Sequence, residues 1–168
     1  MIEIMSLLDD RFTLDLMLLV PGFASKKTRG YVDELRTLAG GDPRIKVIPP
    51  VTSREVVKTI NKYDMGVFLL PPINFNYENT LPNKLFDFIQ ARLGVAIGPT
   101  PEMAEIVNRY QIGVVSKDFT AGSLAGCLSK LTKKEVEGYK QNAIQAATDL
   151  NAEANAKKID ELISTVLG

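Results

Sequence analysis

The stretch NYENTLPNKLFDF, residues 76–88, holds Glu78, Asn79, Asn83, Lys84 and Asp87 within one loop and the start of one helix. Pro82 suits the first position of that helix, because its fixed φ fits there and its missing N–H is not needed. Asn83 and Lys84 then fall in the first turn. Backbone N–H groups there lack intrahelical partners, and the positive end of the helix dipole favours an anion. A lysine at this end opposes the dipole unless an anion sits nearby. Asp87 lies three residues on, close to the same face. Together they suggest a phosphate near Lys84 and vicinal hydroxyls, such as those of a ribose, near Asp87. The plain alternative is a solvated Lys84–Asp87 ion pair on a polar loop. Spacing alone does not separate the two.

Other chemistries are excluded by what the chain lacks. It has no histidine, which removes a histidine base, a serine–histidine–aspartate triad and histidine zinc sites. The single cysteine, Cys127, lies in an apolar helical stripe, LAGCLSKL, and reads as core packing. With one cysteine there is no disulfide framework, and a cytoplasmic location is expected. Neither G-x-G-x-x-G nor G-x-x-x-x-G-K-[ST] occurs. Gly22, in PGFASKKTRG, offers a tight turn beside two lysines, too loose a pattern to count as a fingerprint. Twenty basic residues balance twenty acidic ones, which argues against nucleic acid as a partner of the whole surface. No apolar run is long enough to suggest a membrane span, and no secretion signal follows Met1.

The elements that position the 76–88 stretch follow from apolar runs and their stops. Strands are expected at 13–20, 45–48, 65–70, 95–98 and 112–115, each a short apolar run. Helices are expected at 25–39, at 53–63 with Ser53 as N-cap, at 82–93, and at 101–110 with Thr100 as N-cap. Further helices are expected at 121–131, 133–149 and 152–167, so residues 133–167 form a helical C-terminal section. Residues 71–81 read as a long loop. Apolar strands alternating with helices predict an α/β fold: a doubly wound, Rossmann-like parallel sheet of about five strands, in one domain over residues 1–168. Ligands of such sheets bind outside the C-terminal ends of the strands, and the loop at 71–81 is the longest there.

The segment LPNKLFDFIQARLGVAIGPTPEMAEIVNRYQIGVVSKDFTAGSLAGCLSKL resembles the C-terminal, donor-binding domain of GT-B glycosyltransferases, especially the retaining family 4 type. In that family a segment close to PNKLFEYLAAGLPVVASDTPEMAEIV is followed by a GxVV strand. VIPPVTSREVVKTINKYDMGVFLLPP resembles the family's preceding strand, helix and strand. The likeness covers about residues 14–132. It implies that the domain binds a nucleotide-diphosphate sugar as donor substrate, without a metal or other cofactor. The family's paired glutamates, with seven residues between them, place the ribose-binding carboxylate at Asp87. Counting back eight gives Asn79 for the catalytic-site partner near the sugar, with Glu78 one place off. Asn83 and Lys84 match the family's residues beside the diphosphate, and Val51 falls where the base is met. Gly22, Thr80 and Leu81 complete the implied donor-binding set.

The sequence departs from this pattern at several points. Asp87 replaces a glutamate, and Arg92 and Gly94 stand where the family often has glycine and proline. The family has one further strand, central in the sheet, before TLDLMLLV. A basic pair that follows that strand and the acceptor-binding domain are also not found. The expectation is therefore a donor-binding portion of a transferase of polysaccharide or glycolipid synthesis, one that binds nucleotide without turnover. The alternative is a degenerate, non-catalytic binding module. A missing central strand should leave a gap in the sheet, closed by the N-terminal segment or by a second copy in a homodimer.

Overall fold

The computed structural model describes residues 1–167, apart from the side chains of Lys158, Val166 and Leu167. The elements run α1 (Ile2–Met5), β1 (Leu14–Met17), α2 (Lys26–Gly40), β2 (Ile45–Ile48), α3 (Ser53–Ile60), β3 (Met65–Phe68) and α4 (Phe75–Glu78). Then come α5 (Asn83–Gln90), β4 (Gly94–Ile97), α6 (Pro101–Tyr110), β5 (Gly113–Val115), α7 (Ala121–Leu128), α8 (Lys133–Asp149) and α9 (Ala152–Leu167). This is an α/β, Rossmann-like arrangement: all strand pairs are parallel and helices lie between successive strands.

The strands do not form one sheet. β1 pairs with β2, and β3, β4 and β5 form a second sheet in that order. The five expected strands are all present and all parallel, divided between two half-sheets as the expected gap in the sheet implies. The reason is local: β1 and β3 each have one hydrogen-bonded neighbour and do not pair with each other. β4 has neighbours on both sides and all four of its residues are buried, as its uninterrupted apolar sequence requires.

The N-terminal segment does not add a strand. It forms α1, whose Ile4 and Met5 are buried with Leu8 against Leu124, Ala125 and Leu128 of α7. Arg44 holds this segment in place. Its guanidinium donates to the carbonyls of Met5 at 2.8 Å and Leu8 at 2.7 Å, and it is fixed by Asp42 at 2.7 Å.

Several local expectations shift. The N-cap of α3 is Thr52, not Ser53: the Glu55 carboxylate accepts from the Thr52 N–H at 3.1 Å and from its hydroxyl at 2.7 Å. A glutamate three residues after a threonine outcompetes the adjacent serine because it closes this reciprocal cap. The 71–81 loop contains the short helix α4, started by Asn74, whose side chain accepts from the Tyr77 N–H at 2.9 Å. The helix expected at 82–93 ends at Gln90, because Arg92 turns into the left-handed region with φ 60.

Candidate functional site

The site is built around the N-terminus of α5. Gly66 of β3 allows this helix to sit directly on the sheet, since a Cβ there would come within 2.2 Å of the Phe88 ring. Leu85 and Ile89, one turn apart, are buried and lock the rotation of α5. That rotation leaves Asn83 and Lys84 exposed and Asp87 half-buried.

Pro82 is the N-cap, and α5 begins at Asn83, one position after the start expected from the sequence. Proline has no side-chain oxygen to cap a helix, and among the described residues the Asn83 and Lys84 N–H groups find no acceptor. The Lys84 ammonium does not pair with Asp87; no ion pair joins them among the described residues. It lies instead over the Phe68 ring at the C-terminal end of β3, 5.5 Å from its centroid. The solvated ion pair that sequence spacing allows is therefore not formed. Burial pushes the Asp87 carboxyl above the usual aspartate value, and the nearby Lys84 charge only partly offsets this. One helix end thus presents open amides, a lysine ammonium and a partly desolvated carboxylate. Amides with a cation can hold an anion, and the carboxylate can accept from hydroxyls.

Glu78 and Asn79 differ in what their side chains do. Asn79 donates its side-chain amide to the Phe75 carbonyl at 3.0 Å, which closes α4 upon itself. Glu78, the last residue of α4, is exposed, and its carboxylate has no hydrogen-bond partner among the described residues. Thr80 is half-buried and Leu81 is 42% exposed, on the segment between α4 and α5. These residues all follow β3 at its C-terminal end.

Gly22 and Val51 follow β1 and β2, at the C-terminal end of the other half-sheet. The Gly22 carbonyl accepts from the Arg29 guanidinium at 2.6 Å. Its φ is not positive and a Cβ would meet nothing within 4 Å, so the backbone does not demand glycine there. Val51 is half-buried just before the Thr52 cap. A groove of about 460 Å³ runs along β2 and α2, lined by Leu18, Arg36, Val47, Pro49 and Pro50, and includes none of the candidate site residues.

Two features of this end of the fold were not read from the sequence. Phe68 beneath Lys84 looks like any apolar strand residue. Thr100 does cap α6 by position, yet it is fully buried and its hydroxyl has no partner among the described residues. No group of three or more potential metal ligands occurs among the described residues, and no described helix is long and apolar enough to cross a membrane.

No protein-family model matches the chain, and no curated protein matches it in sequence. Among solved structures, it is similar to WaaG, a glycosyltransferase involved in lipopolysaccharide biosynthesis, with a TM-score of 0.59 and 14% identity. The match covers 90% of this chain and 38% of WaaG. At that identity the likeness is one of fold: the chain has the architecture of part of a glycosyltransferase, spanning well under half of that protein's length.

Proposed function

We propose that this chain is the donor-binding portion of a retaining glycosyltransferase, taking a nucleotide-diphosphate sugar at the N-terminus of α5. The observation that carries this is the uncapped first turn of α5, with Lys84 outside any ion pair and the Asp87 carboxylate free of partners among the described residues. In this reading the amides of Asn83 and Lys84, with the Lys84 ammonium, hold the diphosphate and stabilise it as it leaves. Asp87 accepts from the ribose hydroxyls. Glu78 lies toward the sugar, since the Asn79 side chain is engaged with the α4 backbone. Thr80 and Leu81 line the approach, while Gly22 and Val51 meet the donor from the neighbouring half-sheet. The fold shared with part of WaaG supports the class of reaction. Transfer to an acceptor hydroxyl, as in polysaccharide synthesis, then needs a second wall to orient that acceptor. Such positioning can account for roughly 7–11 kcal/mol of barrier lowering.

A non-catalytic, nucleotide-sugar-binding module is the second reading. It is favoured by Asn79, whose amide is spent on the helix it terminates. Calorimetric titration with uridine, guanosine and adenosine diphosphates tests the shared core of both readings. Lys84→Ala should weaken the preferred diphosphate about tenfold or more, because a charge-assisted contact is worth roughly 1.5–3 kcal/mol, and should leave the bare nucleoside nearly unchanged. Equal loss for nucleoside and diphosphate, or no binding of any diphosphate by the parent chain, would remove the proposal. Sugar transfer from a labelled donor by the chain alone would exclude the non-catalytic reading.

A further inference from the structure

We infer that Phe68 is a positioning residue of the donor site proposed above: its ring holds the Lys84 ammonium away from Asp87, which leaves the cation to the diphosphate and the carboxylate to the ribose. The inference rests on that reading of the site and adds to it the residue that keeps the two charges apart.

The placement follows from how α5 lies on β3. Gly66 and Phe68, two residues apart, lie on one face of the strand. Lys84 and Phe88, four residues apart, lie on one face of the helix. Phe88 sits over Gly66 and Lys84 over Phe68, so the helix runs antiparallel to the strand. Two strand residues advance about 6.6 Å and four helical residues about 6 Å, so a single register sets both contacts. The absent Cβ at Gly66 lets α5 down onto the sheet, and this brings Lys84 within reach of a ring at 68. Phe68 is itself fixed. It pairs with Ile97 of β4 and packs on the buried cluster that contains Leu85 and Ile89.

Lys84 and Asp87 are spaced to pair, since residues three apart on a helix are neighbours. An exposed pair of that kind is weak, because water screens it and both side chains must be ordered. A ring face attracts the ammonium at least as strongly, and packing has already ordered the ring. The ammonium carries three N–H donors. With one side turned to the ring, the others can point at a phosphate above the open amides of Asn83 and Lys84. The ring contact is thus compatible with a bound phosphate, whereas a carboxylate taken up by lysine has less capacity for hydroxyls. Among the described residues Lys84 is the one charge that acts on Asp87. The helices packed on α5 do not contribute: on α3, Arg54 and Lys58 are exposed and Glu55 is engaged with Thr52, and on α8, Lys140 is paired with Asp64.

A carbon-13 carboxyl titration of Asp87, in the chain without nucleotide, reads where the ammonium is. Phe68→Leu keeps an apolar side chain and removes the ring, with Phe68→Met as a second ringless variant. Either should release Lys84 to Asp87 and lower the Asp87 midpoint, while Phe68→Tyr, which keeps a ring, should not. In a Lys84→Met background Phe68→Leu should leave the midpoint where it is, because the double-mutant cycle isolates the part played by the lysine. Calorimetry then reads the consequence. Phe68→Leu should weaken the preferred nucleoside diphosphate about two- to fivefold, the weight of an exposed cation–ring contact, and narrow its preference for ribose over 2′-deoxyribose. Phe68→Tyr should retain both. A midpoint that the ringless variants do not move, or that they move equally without Lys84, would overturn the inference whether or not a nucleotide binds. So would a moved midpoint with unchanged diphosphate affinity and ribose preference. Failure of the parent chain to bind any diphosphate would remove the donor site and this role with it. The midpoint, read without nucleotide, tells that failure apart from a ring that does not hold Lys84.

Discussion

The Tyr63 hydroxyl donates to the Asp15 carboxylate at 2.5 Å, the one side-chain hydrogen bond joining the two half-sheets among the described residues. Burial, reinforced by the Asp15 hydrogen bond and charge, pushes the Tyr63 phenol up to about 12. A phenol whose folded value is raised binds its proton more tightly folded than unfolded. Its contribution to stability is complete below the unfolded value of 10.0 and is lost as pH rises toward about 12. An ultraviolet titration should therefore show one of the chain's five tyrosines ionising last, toward about 12. Tyr63→Phe should abolish that late step. Retention of the late step in the variant would assign it to another tyrosine.

Arg92 holds φ 60, a left-handed conformation that costs a non-glycine residue roughly 1–2 kcal/mol. Its guanidinium offsets part of this by donating to the Gln90 carbonyl at 2.7 Å and the Ile89 carbonyl at 3.3 Å, which closes the C-terminal end of α5. Arg92→Gly removes both the strain and the cap, so urea melts should place it within about 1 kcal/mol of the parent. Arg92→Val keeps the strain, worsens it with a β-branched side chain and loses the cap. It should be destabilised by about 2 kcal/mol or more. Equal stability of the two variants would show that the backbone there relaxes.

The Asp42 carboxyl is held below its usual value, first by the hydrogen bond from the Arg44 side chain and then by the Arg44 backbone N–H. A depressed carboxylate contributes stability above its unfolded value of 3.8 and loses it as pH falls through the lower folded value. Acid should therefore free Arg44, and with it α1, which Arg44 anchors through the Met5 and Leu8 carbonyls. Limited proteolysis with pepsin, compared between Asp42→Asn and the parent, should cut within residues 1–12 of the variant at a higher pH. Identical cleavage profiles would show that α1 is held by its apolar contacts alone.

How much of this was legible in the sequence depends on the range of the forces involved. β2 and α6 fall where apolar runs and capping residues put them, because those signals are local. The open α5 N-terminus was legible from Pro82, Asn83 and Lys84 for the same reason. The separation of Lys84 from Asp87 was not. It depends on Phe68, which is distant in sequence and has an aromatic face that competes for the ammonium. The engagement of Asn79 was likewise hidden, since α4 is too short to leave a periodic pattern. The split sheet was legible only through the resemblance, as the gap left by a missing central strand, because no single strand's own sequence records its edge pairing.

Asp87 carries the sharpest test of the proposed site. Its carboxylate is half-buried and has no hydrogen-bond donor among the described residues, so it enters a complex with its acceptor capacity unspent. Two adjacent ribose hydroxyls can fill that capacity, and a 2′-deoxyribose can fill only part of it. Asp87→Asn should therefore weaken ribonucleoside diphosphates about tenfold, as expected when a hydrogen bond to a charged group is lost, and their 2′-deoxy counterparts less. Burial raises the folded carboxyl above 3.8, so the parent's preference for ribose should fade on acidification before an ordinary aspartate would protonate. In Asp87→Asn that acid step should be gone, because the amide does not titrate. Calorimetry across pH with paired ribo- and deoxyribonucleotides reads both effects. Equal weakening of the two sugars, with the acid step kept in the variant, would make Asp87 a structural residue of α5 and leave the ribose to another group.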